Sequence, residues 1–379
     1  MRVQTELFWE LVVMSLEKPQ IALELSASCT FEPTGVSRYA QRLTLALAQC
    51  QEYRWLGLYR SSRFKKRSPL QSWFPGPTQA YAGPFRFGRG QLQLVHGLDG
   101  QLPGWSNPAM VVTFHDLAPW KITKESVASE RFLATKTKQY TQALAQAAQV
   151  VSVSQTTKND LVELFQLDPA RITVIPLGLE ESLLQKDPLG TQVLERHRLK
   201  PKGYLLYLGS LSKRKNLFRL VEGYAKSAAR KSYRLVLAGE LSWGIESLAQ
   251  KVQDLGLERD LTLLPYLPEA DLPALYQGAV GFLYPTLYEG FGLPVLESMA
   301  AGTPILVGNL GAAPETAGGH GVLCDPYEAE SIAAGIDQLP AFGADRIEAA
   351  RTHAQSYSWE KTAAATLALY GQVLGRRDR

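Results

Sequence analysis

The stretch Tyr288-Glu289-Gly290-Phe291-Gly292-Leu293-Pro294-Val295-Leu296-Glu297 carries two carboxylates with seven residues between them, two glycines and a proline placed to open a helix. Pro294 suits the first helical turn, where a missing N–H costs nothing. Gly302, with Pro304 beyond it, stops the helix after Ala300-Ala301. Gly290 and Gly292 let the backbone come close to a ligand. The free N–H groups of such a helix start, together with its dipole, make an anion site suited to a diphosphate. Glu289 and Glu297 bracket that site. Carboxylates accept hydrogen bonds from hydroxyls, so they suit a sugar or a ribose rather than a phosphate. A lone Gly-x-Gly is commonly a plain strand–turn–helix joint; the full stretch is far more specific.

A second constellation is Leu208-Gly209-Ser210-Leu211-Ser212-Lys213-Arg214-Lys215-Asn216-Leu217, which also ends an apolar run and opens a helix. Asn216 reads as its N-cap, and Leu217, Leu220, Val221 and Tyr224 form the buried stripe. Charge runs are usually solvated turns. At the carboxyl end of a strand, however, Lys213, Arg214 and Lys215 are placed to neutralise a departing diphosphate without a metal ion. Val111-Val-Thr-Phe-His115-Asp116-Leu117 reads as a buried strand that delivers His115 to the cleft from the other half of the chain. Pro33-Thr34-Gly35-Val36-Ser37-Arg38-Tyr39 is a glycine turn leading into a helix, a weak signal when taken alone.

Parallel sheets are the elements that could position these residues. Apolar runs at 21–25, 53–59, 92–96, 110–117, 150–153 and 172–175 read as strands, with helices at 39–47 and 132–148. The pattern restarts near 180–200 with strands at 204–211, 234–238, 261–264, 280–283, 304–307 and 321–324. Strand–helix alternation with short connections implies α/β architecture, two doubly wound parallel sheets in tandem. Ligands of such sheets bind at the carboxyl ends of the strands, which places the site in the cleft between the two units. Between them in character stands Arg60-Ser-Ser-Arg-Phe-Lys-Lys-Arg67, followed by Trp73, Phe74, Tyr81, Phe85 and Phe87. It reads as a long irregular basic–aromatic loop that offers contact to an acceptor or a membrane surface.

At 379 residues the chain suits two domains. Three widely spaced cysteines and five scattered histidines show neither a disulfide framework nor metal-ligand spacing, so no metal and no cofactor is expected. Net charge is +4, with +5 in residues 1–180 and −1 in the remainder; the first half is the one suited to an anionic partner, and no nucleic acid is expected. No run is long and apolar enough to span a bilayer. Glu6 and Glu10 break the apolar stretch at the N-terminus, and no small-residue cleavage site follows. The segment reads as a short amphipathic helix, with a start at Met14 as an alternative.

Together these motifs resemble the GT-B-fold retaining glycosyltransferases (family 4 type, group 1), a family that includes bacterial mannosyltransferases, sucrose synthase and glycogen synthase. The likeness runs from Ile21 to about Tyr370 and is densest over 261–326, with Pro314-Glu315 and Cys324-Asp325-Pro326 included. Val111–Leu117 looks most like the polysaccharide and O-antigen mannosyltransferase branch. The resemblance implies an acceptor-side domain over 1–190 and a nucleotide-sugar-binding domain over 191–355. It also implies a final helix within 356–379 that crosses back to the first domain. It further implies that Glu289 holds the donor sugar, Glu297 the ribose, and Arg214 and Lys215 the diphosphate. The backbone of Gly290, Phe291, Gly292 and Leu293 would contact sugar and phosphate, with Gly35 near the phosphates and His115 near the reacting centre. Many members carry an arginine where this chain has Ser210, so phosphate binding leans on Arg214 and Lys215. The implied activity is metal-independent, retaining transfer of a mannose- or glucose-type hexose from a nucleotide-sugar to a glycan or lipid-linked acceptor. It would take place in the cytoplasm, at the inner membrane face. A sugar-nucleotide epimerase of the same fold and a non-catalytic nucleotide-sugar-binding protein are the alternatives.

Overall fold

The computed structural model describes residues 18–30, 34–83, 85–86, 92–105, 107–122, 129–185, 187, 190–240 and 246–375. The N-terminal segment, its alternative start at Met14, and Pro33 and Phe87 of the motifs above lie outside the described residues. Two sheets organise the rest. The first has the order β4-β3-β2-β1-β5-β6-β7-β8, built from Gln20–Glu24 (β1), Arg54–Arg60 (β2), Thr78–Ala82 (β3), Phe85–Arg86 (β4), Leu92–Gly97 (β5), Ala109–Phe114 (β6), Gln149–Ser152 (β7) and Ile172–Val174 (β8). All its pairings are parallel except β3 with β4. The second is parallel throughout, with the order β11-β10-β9-β12-β13-β14: Tyr204–Leu208 (β9), Arg234–Ala238 (β10), Leu261–Leu264 (β11), Gly281–Tyr284 (β12), Ile305–Gly308 (β13) and Val322–Cys324 (β14).

The central strands are apolar runs because helices cover both faces, leaving no solvated side for polar residues to occupy. Thus β6, β7, β12 and β13 are buried at every position. Numbered from its own start, the second sheet has the order 3-2-1-4-5-6, so its topological switch point falls between β9 and β12. The loops leaving those two strands carry Ser210–Lys215 and Pro285–Gly292, the residues singled out for diphosphate chemistry. Sheet topology alone therefore sets them side by side.

The basic–aromatic segment is not a loop. Ser61–Lys66 forms a 3-10 turn, Ser68–Trp73 a short helix, and β3 and β4 extend the first sheet at its edge. Phe74 and Tyr81 are buried, because apolar ring area removed from water outweighs the local turn signals. The 3-10 turn keeps its basic and aromatic side chains exposed, with Phe64 half in solvent and the Arg67 guanidinium over its ring.

The last helix, Trp359–Gly375, lies against the first domain. Trp359 Nε1 donates to Glu180 (3.1 Å), Thr362 Oγ1 to the carbonyl of Pro176 (2.9 Å), and the Trp359 ring tilts against Tyr39. His96 of β5 is fully buried, with Nδ1 2.6 Å from the Tyr370 hydroxyl and Nε2 2.8 Å from Thr113 Oγ1. Burial pushes the His96 imidazole down to about 3, with His115 nearby adding to the effect. Its depressed value means the unfolded chain takes up a proton near 6.5 that the folded chain refuses until about 3. Stability is therefore full above the unfolded value and is lost as pH falls between the two. We expect roughly 2–3 kcal/mol less stability at pH 4 than at pH 6 from this group. Urea midpoints of wild type and His96→Gln across that range check it: parallel slopes would remove His96 from the account.

Candidate functional site

The site is built at the switch point. After β9 the chain turns through Gly209-Ser210-Leu211-Ser212 into a 3-10 turn, Lys213–Lys215, and then into helix Leu217–Lys226. Asn216, at φ 63°, precedes that helix without capping it through its side chain. Its Nδ2 donates instead to the carbonyls of Pro285 (2.9 Å) and Pro326 (2.5 Å). The expected N-cap is thus a tie between neighbouring loops. Two buried carbonyls left without donors would cost more than a helix start with no side-chain cap.

That tie holds the basic turn against the β12 loop. Lys215, 7% exposed, places Nζ 2.6 Å from Glu289 Oε1 and 3.1 Å from the Tyr284 hydroxyl. Arg214 NH1 donates to the Tyr288 carbonyl (3.1 Å) and lies 3.6 Å from Glu289 Oε2. Burial alone would raise the Glu289 carboxyl, but the Lys215 ammonium and Arg214 guanidinium overturn that and hold it below its ordinary value. Burial likewise pulls Lys215 down while the carboxylate opposes it. Two cations therefore face Glu289, and the Asp116 carboxylate of the loop after β6 also acts on both.

The glycine-rich loop supplies the rest. Helix Leu293–Ala300 starts after Gly292, whose φ of +94° is a left-handed backbone that side-chain-bearing residues rarely adopt. The carbonyls ahead of it are all engaged: Glu289 O accepts from Ala312 N (2.9 Å), Gly290 O from Thr157 Oγ1 (3.2 Å), and Phe291 O from the Thr316 hydroxyl. The amides of Gly290, Phe291 and Gly292 donate to no partner among the described residues. Those N–H groups, at a helix start, form an anion cradle. On the same helix Glu297, 3% exposed, accepts from the Tyr276 hydroxyl (2.8 Å) and from Arg38 NH1 (3.0 Å).

His115 follows β6 and reaches the same place from the first domain. Its Nε2 donates to the Leu98 carbonyl (2.7 Å), its ring meets Tyr39 edge-on, and its backbone carbonyl sits against Gly290. A Cβ on Gly290 would overlap that carbonyl oxygen and lie 2.8 Å from Asp116 Cβ. Gly290 is thus a glycine for the approach of the facing domain, whereas the sequence had suggested the approach of a ligand. Gly35 opens helix Gly35–Leu47 behind a reciprocal Thr34–Ser37 cap, with nothing among the described residues within 4 Å of where a Cβ would stand. Further ties cross the cleft: the Tyr288 hydroxyl to Asp160, and Glu315, whose carboxylate accepts from the amides of Gln155 (2.7 Å) and Thr156 (3.0 Å) at the start of helix Gln155–Phe165.

Glu289, Gly290, Arg214, Lys215 and the backbone of His115 therefore lie together, Phe291 and Gly292 lead into helix Leu293–Ala300, and Leu293 and Glu297 lie on it. Sequence reasoning passed over Arg38, Thr157, Asp160, Tyr276 and Tyr284. The tyrosines carry no signal apart from core packing. Arg38 sits one helical turn after Gly35 and could have been weighed with it. Among the described residues no group of three His, Cys, Asp or Glu side chains is arranged to hold a metal ion.

Two facing doubly wound sheets with this cleft define the GT-B class of glycosyltransferase. The pattern of "Glycosyl transferases group 1" matches residues 196–350, and that of "Glycosyltransferase Family 4" residues 33–183. The chain is 30% identical over 371 residues to the O-antigen chain mannosyltransferase B of Escherichia coli, covering 89% of this chain and 96% of that one. It is 27% identical over 267 residues to the E. coli serotype-specific mannosyltransferase WbdA, 67% of this chain but 32% of that longer protein. Among solved structures, sucrose-phosphate synthase from Thermosynechococcus elongatus superposes with a TM-score of 0.73 at 20% identity, covering 95% of this chain and 100% of that one. The Anabaena protein HepE, solved with UDP and glucose, superposes at 0.72 and 16% identity, covering 93% and 100%. The chain belongs to the group 1 glycosyltransferase family.

Proposed function

We propose that this glycosyltransferase moves a mannose- or glucose-type hexose from a nucleotide-sugar to a glycan or lipid-linked acceptor, with retention and without a metal ion. One observation carries the reading: Arg214 and Lys215 stand beside an amide cradle whose carbonyls are engaged and whose N–H groups have no acceptor among the described residues. A diphosphate supplies acceptors for those N–H groups and for the two cations. In the reaction the bond from the anomeric carbon to the diphosphate oxygen breaks, and its electron pair leaves with that oxygen. The acceptor hydroxyl oxygen bonds to the same face of the carbon, and its proton passes to the departing phosphate. Arg214, Lys215 and the amides of Gly290–Gly292 stabilise the leaving charge. Glu289 accepts from sugar hydroxyls, and closure of the cleft supplies orientation.

The acceptor approaches from the first domain, where His115 stands. The exposed turn bearing Arg63, Phe64, Lys65 and Lys66 leaves the carboxyl end of β2, and it suits contact with an anionic membrane face in a cytoplasmic enzyme.

Melting temperature in the presence of GDP-mannose, UDP-glucose and ADP-glucose tests the donor site, since a ligand of the folded form raises it. One of the three should shift it, and that donor should then be consumed with an acceptor after EDTA treatment. Isomerisation of the donor alone would favour an epimerase, and binding without turnover a non-catalytic role. Glu289→Ala should lower turnover roughly 10²-fold or more. Nucleoside diphosphate affinity should hold or rise, because Lys215 and Arg214 lose their internal partner. Loss of nucleotide binding in that variant would assign Glu289 to the nucleotide instead of the sugar.

A further inference from the structure

Glu297 stands at the ribose end of the proposed donor site, and one of the two side chains that hold it belongs to the other domain. Arg38, in the first turn of helix Gly35–Leu47, gives NH1 to Glu297 Oε1 at 3.0 Å and Nε to Glu269 Oε1 at 2.9 Å. Glu269 in turn takes Arg42 NH2 (3.2 Å), and Arg42 Nε reaches Glu180 (2.7 Å), the residue that also holds the Trp359 indole. A chain of alternating charges thus runs from the returning last helix across the cleft to a buried carboxylate. Arg38 is mostly buried, with its side chain 21% exposed, and the guanidinium is spent across two carboxylates.

A carboxylate has about four lone-pair sites. The Tyr276 hydroxyl occupies one on Oε2 and Arg38 one on Oε1, which leaves two for the adjacent hydroxyls of a ribose. Removing a cation from a carboxylate this deeply buried would leave its charge uncompensated and its rotamer free. We propose that Arg38 is a positioning residue for the ribose: it holds the Glu297 carboxylate in place, and it does so only while the two domains are closed. Ribose recognition is then completed by the domain that does not bind the nucleotide, so closure and selection for a ribose diol are one event.

This rests on the donor reading above, and the test separates the two. Affinities of wild type, Arg38→Ala and Arg38→Lys are measured by calorimetry for GDP and 2′,3′-dideoxy-GDP, and for UDP and 2′,3′-dideoxy-UDP, with melting curves to confirm folding. Wild type should prefer the ribose form of its nucleotide by roughly tenfold or more, the scale of a charge-assisted hydrogen-bond pair. Arg38→Ala should reduce that preference to below about threefold. Arg38→Lys should do much the same, because one ammonium cannot span Glu297 and Glu269 as the guanidinium does. Glu269→Gln, which loosens Arg38 without touching Glu297, should fall between. A general packing role would lower both affinities together and leave the ratio alone; an unchanged ratio in Arg38→Ala overturns the proposal. If neither nucleotide pair binds wild type, the donor site itself is misassigned.

Discussion

Lys215→Met should lower kcat/KM for sugar transfer by about 10²–10³-fold, the usual cost of removing one preorganised donor from a developing anion. The same substitution should lower stability by about 3 kcal/mol, because Glu289 would stay buried with only Arg214, 3.6 Å away, as its counter-charge. The two effects have different causes and separate in a second variant. Lys215→Met combined with Glu289→Gln removes both charges, so most of the stability should return while activity stays lost. Denaturation midpoints and steady-state rates of the single and double variants check this. Recovery of rate together with stability would mean that Lys215 serves only the fold.

Gly290→Ala is the second large effect. The added Cβ overlaps the His115 carbonyl, which is backbone and cannot rotate aside, so the facing domain must withdraw. The anion cradle, Arg214 and Lys215 all lie in the second domain and move with Gly290. Nucleoside diphosphate affinity should accordingly change by less than about tenfold, while transfer falls by roughly 10²-fold or more as the two reactants lose their alignment. Small-angle scattering should report a larger radius in the variant than in wild type. Unaltered transfer rates would show that this closed contact is not the reacting geometry.

Both predictions concern places that sequence reading reached unequally. The second sheet was legible almost strand for strand: 234–238 and 261–264 were bounded as the structure has them. Its strands are continuous apolar runs between short helices, and buried parallel strands write that pattern directly. The edge of the first sheet was not legible. Phe74 and Tyr81 sit among basic residues and prolines, and only the packed structure reveals that they turn inward. The second demand on Gly290 was hidden for a related reason. A glycine announces a close approach without saying what approaches, and the His115 backbone lies 175 residues earlier in the chain. Asn216 misled in the opposite way: its type fits a cap, yet its amide is claimed by two carbonyls from loops more than sixty residues away. The Arg38–Glu297 pair, 259 residues apart, exists only once two domains have docked, and no local pattern encodes docking.

The bond between His96 and Tyr370 spans 274 residues, and it fixes an order of events during synthesis. The first sheet is complete once Val174 has left the ribosome, but buried His96, already paired with Thr113 through Nε2, gains its Nδ1 partner only when almost the whole chain has been made. Half of the nascent protein must therefore wait with an unsealed interior while the other half forms. A ribosome stalled before Trp359 should hold a first domain that proteases cut readily, whereas the released chain resists them.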